Sequence, residues 1–461
     1  MSHFFADLLF DGERWAASQY FHVDEGGMFR NIPAALVNPQ IKSNSVHLGV
    51  VIPGFINCHS HSFQRAMAGL GERITGSHSN DSFWTWREQM YRLAHWFQPK
   101  DLRVITDWLY LEMLESGYTS VGEFHYLHKK SSGQSYHDPC EMAQQIIDSA
   151  RESQIRLCLL PAFYQKAAIN QELHPRQFPF GMNTLSEYQK YHQILSKRIP
   201  PGFNLGVAIH SIRAVEQTQL KEFSLEYGMQ SLPIHIHIAE QTAEVEESLQ
   251  CYGKRPVEFL LDNIEVNSLW TLVHATHITP EERKGLAQSR ASVGICPITE
   301  ANLGDGIFPM KDFLSDDGNI AVGSDSHIRI DPFEELRWIE YSQRYQSGNR
   351  ACLSNEKTPS PGQLLASKTY QGGQQSLMLN TGFLKDGFFA DFLVLDKEHP
   401  SMLRLNPATL WDEIVFAGSR ELVQSVYTGG KQIVYEGRHS LRNEKLESLR
   451  KLFRSPDFPS L

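Results

Sequence analysis

The chain is poor in cysteine. Six residues (Cys58, Cys140, Cys158, Cys251, Cys296, Cys352) are scattered over 461 positions, with no CxxC pair. That excludes a zinc ribbon and a dense disulfide framework. No uncharged apolar run reaches the roughly 18 residues of a membrane span. Basic charge is not in excess. The net charge of −10 argues against nucleic acid or an anionic membrane as partner. A local Arg can still hold an anionic small substrate. The first residues, MSHFFADLLFDGERW, lack a basic segment ahead of an apolar core, so no signal peptide is expected and the cytoplasm is the default. Internal repeats and low-complexity segments are absent too.

What remains is a globular composition, 41 % apolar and 21 % charged, long enough for one large domain and a smaller one. Residues 1–49 read as short strands with turns at Asp11-Gly12 and Gly26-Gly27. From Val50 strands alternate with helices. The strands are Val50–His59, Thr119–Phe124, Arg156–Pro161, Leu205–Ile209, Leu232–Ile238, Leu269–Val273, Ala291–Ile295 and Ile320–Gly323. Helix signals include Pro99 to a closing Gly117, Asp138-Pro139 to Ser153, a capping box at Thr279–Glu282, Pro332 to Tyr345 and Gly362 to Tyr370. Past Pro359 the chain turns β-rich again at Ala390–Leu395, Val423–Tyr427 and Gln432–Tyr435. Eight βα units predict an α/β fold: a (β/α)8 TIM-type barrel over residues 50–385. A small β-sandwich domain from both termini, 1–49 plus 386–461, completes it. An open doubly wound sheet would want a glycine-rich turn after its first strand, and HSH stands there instead.

Histidine is abundant, with 20 copies. In a barrel, catalytic groups sit at the C-terminal ends of strands. Those ends carry His59 and His61, Glu123 and His125, and His210. Further round come His235, His237 and Glu240, then His274 and His277, then Asp325 and His327. His59 and His61 share one face of a strand, so two imidazoles can hold one metal. His237 lies nearer its strand end than His235, which is expected in the core. Asp325 is placed as an anionic fourth ligand. Three neutral His and a carboxylate suit zinc, one ion per subunit, although iron or manganese accept the same residue types. Asp325 can also take a proton from water. Glu240 can carry a proton to a leaving group, and His274 can stabilise charge on the electrophile. Cys58 is read as core packing rather than a nucleophile.

Longer strings carry a family resemblance: HSHSFQRAMAGL (59–70), DSFWTWREQMYR (81–92), EFHYLH (123–128), HSIRAV (210–215), HIHIAEQ (235–241), VHATHIT (273–279), GSDSH (323–327) and CPITEANLGDGIFP (296–309). They resemble the amidohydrolase superfamily over nearly the whole chain, and within it the formimidoylglutamate deiminases of histidine degradation. That resemblance implies zinc-dependent hydrolysis of N-formimidoyl-L-glutamate to N-formyl-L-glutamate and ammonia. It implies His59, His61, His237 and Asp325 as ligands and Glu240 and His274 as catalytic residues. Motif positions imply Gln64, Arg87, Tyr126, His210, Arg213 and Ser326 as substrate contacts. Arg87 and Arg213 are expected in loops at the barrel mouth, where a guanidinium can fork onto a carboxylate. Two-metal members of the superfamily carry a barrel lysine that strand four lacks, so a single metal is expected. Residues 71–96 are expected as a loop over the site or at a subunit contact, and a homodimer is expected. Two rival readings are a deaminase of a purine or related aromatic base and a catalytically dead scaffold that only binds.

Overall fold

The computed structural model describes residues 2–72 and 83–459. Eight parallel strands lie in sequence order around a barrel: Phe55–Ser60, Tyr118–His125, Arg156–Phe163, Val207–Ser211, Ile234–Ile238, Trp270–His274, Ser292–Ile295 and Asn319–Val322. We number them one to eight. Strand eight meets strand one through a bridge between Ser60 and Asp325. The Asp325 N–H donates to the His59 carbonyl at 3.0 Å, and the His61 N–H donates to the Asp325 carbonyl at 3.1 Å. Barrel closure therefore fixes Asp325 beside the HSH turn.

The two termini build one continuous eight-stranded sheet. Ser2–Phe10, Trp15–Val23, Phe29–Ile32 and Ser45–Pro53 form its N-terminal half. Phe392–Leu395, Val423–Thr428, Lys431–Tyr435 and Arg438–His439 form the other, joined by antiparallel pairing of Ser45–Pro53 with Phe392–Leu395. Phe4, Phe21, Phe29, Phe392 and Tyr427 fill a separate small core on this sheet. Gly54 links sheet to barrel, and a Cβ there would lie 2.0 Å from Thr119 Oγ1.

Two helix expectations need correction. The segment opened by Asp138 becomes helical only at Glu141. The Asp138 carboxylate instead accepts the Cys140 N–H at 3.0 Å and pairs with Arg198 at 2.6 Å, holding a turn ahead of the helix. The helix expected to end at Tyr370 runs from Pro361 to Leu377. Gly372-Gly373 lies inside it. Here the missing side chains let the helix cross the barrel strands, since a Cβ on Gly372 would lie 1.9 Å from the Ile320 carbonyl oxygen. No helix among the described residues is long and apolar enough to cross a membrane.

Candidate active site

The imidazoles of His59, His61 and His237 converge at the mouth of the barrel. Their Nε2 atoms are 3.0, 3.1 and 3.2 Å apart. Asp325 Oδ1 lies 3.5 Å from the first and 3.3 Å from the second. His61 Nδ1 donates to the Phe124 carbonyl at 2.8 Å, and His237 Nδ1 donates to the His210 carbonyl at 2.9 Å. Those bonds put the ring protons on Nδ1 and leave the Nε2 lone pairs aimed at one point. Burial holds all three histidines below their ordinary pKa, hence neutral. Ligands bound to zinc at about 2.0–2.1 Å sit about 2.9–3.4 Å apart, depending on the angle. The donor set fits a divalent metal ion.

Backbone conformation turns the other reactive groups into the same mouth. Ala239, His274, Ala275 and Asp325 have φ of 51°, 69°, 48° and 46°. Such left-handed geometry at non-glycine residues costs of order 1–3 kcal/mol each and clusters at functional sites. Here it ends strands five, six and eight in sharp bends before Glu240, at His274 and at Asp325. His274 Nε2 lies 3.8 Å from Glu240 Oε1 and 3.9 Å from Asp325 Oδ2, and its Nδ1 lies 3.1 Å from Glu300 Oε1. Burial alone would lower the His274 pKa. The surrounding carboxylates Glu240, Glu300 and Asp325 outweigh it and raise the ring to about 10. Burial and the Asp325 charge push Glu240 up, against the pull of His274 and Arg213. The pair is therefore an imidazolium donor beside a carboxyl poised to hold or release a proton.

A cavity opens on this cluster, with about 550 Å³ of empty space when the open solvent at its mouth is included. Its wall includes Gln64, Arg87, Tyr126, His210 and Arg213. Gln64 donates to the Tyr126 hydroxyl at 2.7 Å, and its buried Oε1 has no partner among the described residues. Arg87 stacks 4.3 Å from the centre of the Trp84 ring, and its buried Nε has no partner among the described residues. Among the described residues, neither Arg87 nor Arg213 has a carboxylate ion pair. Burial and the charge of Arg213 both lower the Arg87 pKa. Guanidiniums facing a cavity can fork onto carboxylates.

The structure differs from the sequence reading at several points. Ser326 is not among the cavity-lining residues. Its hydroxyl pairs with Thr299 Oγ1 at 3.0 Å, because the bend at Asp325 turns the next side chain away from the mouth. Arg87 stands on a helix, Phe83–Trp96, and Arg213 on a short 3-10 turn, Ile212–Ala214, rather than in open loops. That helix contributes Phe83, Trp86, Met90 and Tyr91 to the cavity wall. Residues 73–82, the remainder of the expected loop and part of the DSFWTWREQMYR string, lie outside the described residues.

Other placements agree. His235 is buried one layer down and donates to the Ser376 carbonyl at 2.8 Å. Cys58 is fully buried, and burial raises its thiol pKa, so it is packing. Two groups had no role from sequence. Glu123 accepts the Ser60 hydroxyl and the Ser62 N–H, both at 2.6 Å, which braces the HSH turn; burial pushes it up to about 7. Glu300 lies inside the TEANLGDG string, and that string was the available signal.

Residues 50–433 match the profile of the amidohydrolase family. A formimidoylglutamate deiminase from Pseudomonas aeruginosa is 40% identical over 454 residues, covering 95% of this chain and 96% of that protein. A crystal structure of an amidohydrolase from Brucella melitensis superposes with a TM-score of 0.89 at 35% identity, covering 98% and 99% of the two chains. An adenosine deaminase from Xanthomonas campestris with bound zinc superposes at 0.79 and 18% identity over 98% and 97%, a likeness of fold.

Proposed function

The chain belongs to the amidohydrolase family and is a hydrolase acting on a C–N bond, and from that premise we propose that it hydrolyses N-formimidoyl-L-glutamate to N-formyl-L-glutamate and ammonia. The observation that carries this reading is one cavity holding both a His59–His61–His237–Asp325 cluster and two guanidiniums that have no carboxylate ion pair among the described residues. The similarity to the Pseudomonas aeruginosa deiminase supports the same substrate and a place in histidine degradation. The ligand we propose for the cluster is one zinc ion, as in the zinc-bound relative of the same fold. A zinc ion there would lower the pKa of water towards about 7 and polarise the C–N group.

The protein's own groups do the rest. Arg87 and Arg213 hold the two carboxylates, which directs the formimidoyl carbon towards His274 and Glu240. Gln64, Tyr126 and His210 line the passage between these ends. Asp325 accepts a proton from water as oxygen bonds to the formimidoyl carbon. His274, held as a cation, donates from Nε2 to the charge that develops beside that carbon. Protonated Glu240 gives its proton to the terminal nitrogen, the proton taken up by Asp325 follows it, the C–N bond breaks and ammonia leaves, while Glu240 regains its proton from the new hydroxyl as that oxygen becomes the formyl carbonyl. N-formyl-L-glutamate remains, so atoms and charge balance.

A substrate panel tests this. Ammonia should be released from N-formimidoyl-L-glutamate and not from adenosine or guanine. Release from a purine alone would assign the cavity to an aromatic base and overturn the proposal.

A further inference from the structure

The Cys296–Gly306 segment carries the most specific string in the sequence, yet none of its side chains has a part in the chemistry above. It follows strand seven as a short helix, Pro297–Leu303, and a loop. Glu300 is a buried carboxylate on that helix. One oxygen, Oε1, sits 3.1 Å from His274 Nδ1 and accepts the Cys296 N–H at 2.9 Å. The Glu300 carbonyl accepts the Asp305 N–H at 2.9 Å, which ties the loop back onto the helix. Glu300 is thus anchored at both its side chain and its backbone.

His274 needs such an anchor. Its backbone and that of Ala275 are both left-handed, so it stands on the bend that ends strand six. A ring on that bend can turn about its Cβ–Cγ bond, and the two edges of an imidazole differ. A carboxylate oxygen on the Nδ1 side accepts only when that nitrogen carries the proton. It thereby points the other nitrogen, Nε2, at Glu240 and Asp325.

Resting on the proposed hydrolysis, we infer that Glu300 is the positioning residue of His274: it holds the ring so that Nε2 faces the reacting carbon, without touching substrate itself. A glutamine at 300 keeps an oxygen acceptor for Nδ1, whereas a leucine of similar length removes it.

The test is a steady-state series on the metal-loaded full chain, with metal content and melting temperature measured beside it. Glu300→Leu should lose at least about 100-fold in kcat, with KM within about threefold of the parent and metal content unchanged. Glu300→Gln should recover at least about tenfold of that loss. If Glu300→Leu does not fold, Glu300→Ser takes its place with the same expectation. A kcat within about threefold of the parent in the variant without an acceptor, or a glutamine variant no better than leucine, overturns the inference. Turnover of N-formimidoyl-L-glutamate by the parent is measured first, and its absence overturns the functional reading instead. The inference is then decided by a crystal structure of the acceptor-free variant. A His274 ring turned by more than about 30° supports it, and an unmoved ring overturns it.

Discussion

Glu240 and His274 face each other across 3.8 Å, close enough to shift each other's protonation and too far for a direct hydrogen bond. Glu240→Gln removes the proton carrier and leaves the three-histidine cluster untouched. It should lower kcat by about 10²–10⁴-fold with metal content unchanged, and metal analysis of the same samples checks that separation. Arg213→Met removes a buried charge-assisted contact worth about 1.5–3 kcal/mol. It should raise KM by about 10–100-fold with a smaller change in kcat, read from saturation curves. Residues of this kind were legible where strand alternation applies: His59, His61 and His237 share faces set by a period of two. Ser326, implied by motif position alone, follows the left-handed φ of 46° at Asp325, and its hydroxyl pairs with Thr299. Glu300 had no role from sequence because its contact with His274 spans 26 residues and depends on how a helix packs.

Among the elements, the barrel strands were legible to within a few residues because continuous Val, Ile and Leu runs mark strands buried on both faces. Helix ends were harder. Thr279 caps its helix as the S/T-x-x-E pattern predicts, with the Glu282 N–H donating to its hydroxyl at 3.2 Å. The helix expected to end at Tyr370 runs on through Gly372-Gly373, although glycine usually weakens a helix. Gly372→Ala should therefore invert the usual rule. In an open helix the change gains about 1 kcal/mol. Against the Ile320 carbonyl it forces a backbone shift and should cost at least about 1–3 kcal/mol. Urea unfolding of the single variant measures the sign. Stabilisation would mean that the helix does not cross the barrel this closely.

For the whole molecule, barrel closure and the geometry of the proposed metal site are one feature, since the bonds joining strand eight to strand one are those that seat Asp325 beside His59 and His61. The C-terminal helix, Arg442–Phe453, is clamped to the barrel by Lys445, which lies 2.7 Å from Glu152 and 3.1 Å from Asp107. We propose that residues 1–49 and 386–461 act as one β unit beside the barrel of 50–385. Acid should loosen this assembly in a defined window. Burial holds His128 at about 3 and His192 at about 4, below the ordinary value of about 6.5. Between about pH 6.5 and those values the unfolded chain binds the proton and the folded chain does not. The stabilisation is complete above about pH 6.5 and declines by about 1.4 kcal/mol per unit per group as pH falls. Urea unfolding at pH 7.5 and 5 should show the loss, and His192→Gln should shrink it. An undiminished difference would mean that His192 already protonates in the folded protein.

The central claim joins a metal at the three-histidine cluster to hydrolysis of a small amidine. The direct measurement is ammonia release from N-formimidoyl-L-glutamate by chelator-treated protein titrated with zinc, with bound metal quantified in each sample. The account predicts no ammonia from metal-free protein and a rate that rises linearly to one zinc per chain. Undiminished release from metal-free protein, or none from protein carrying one zinc per chain, would contradict it.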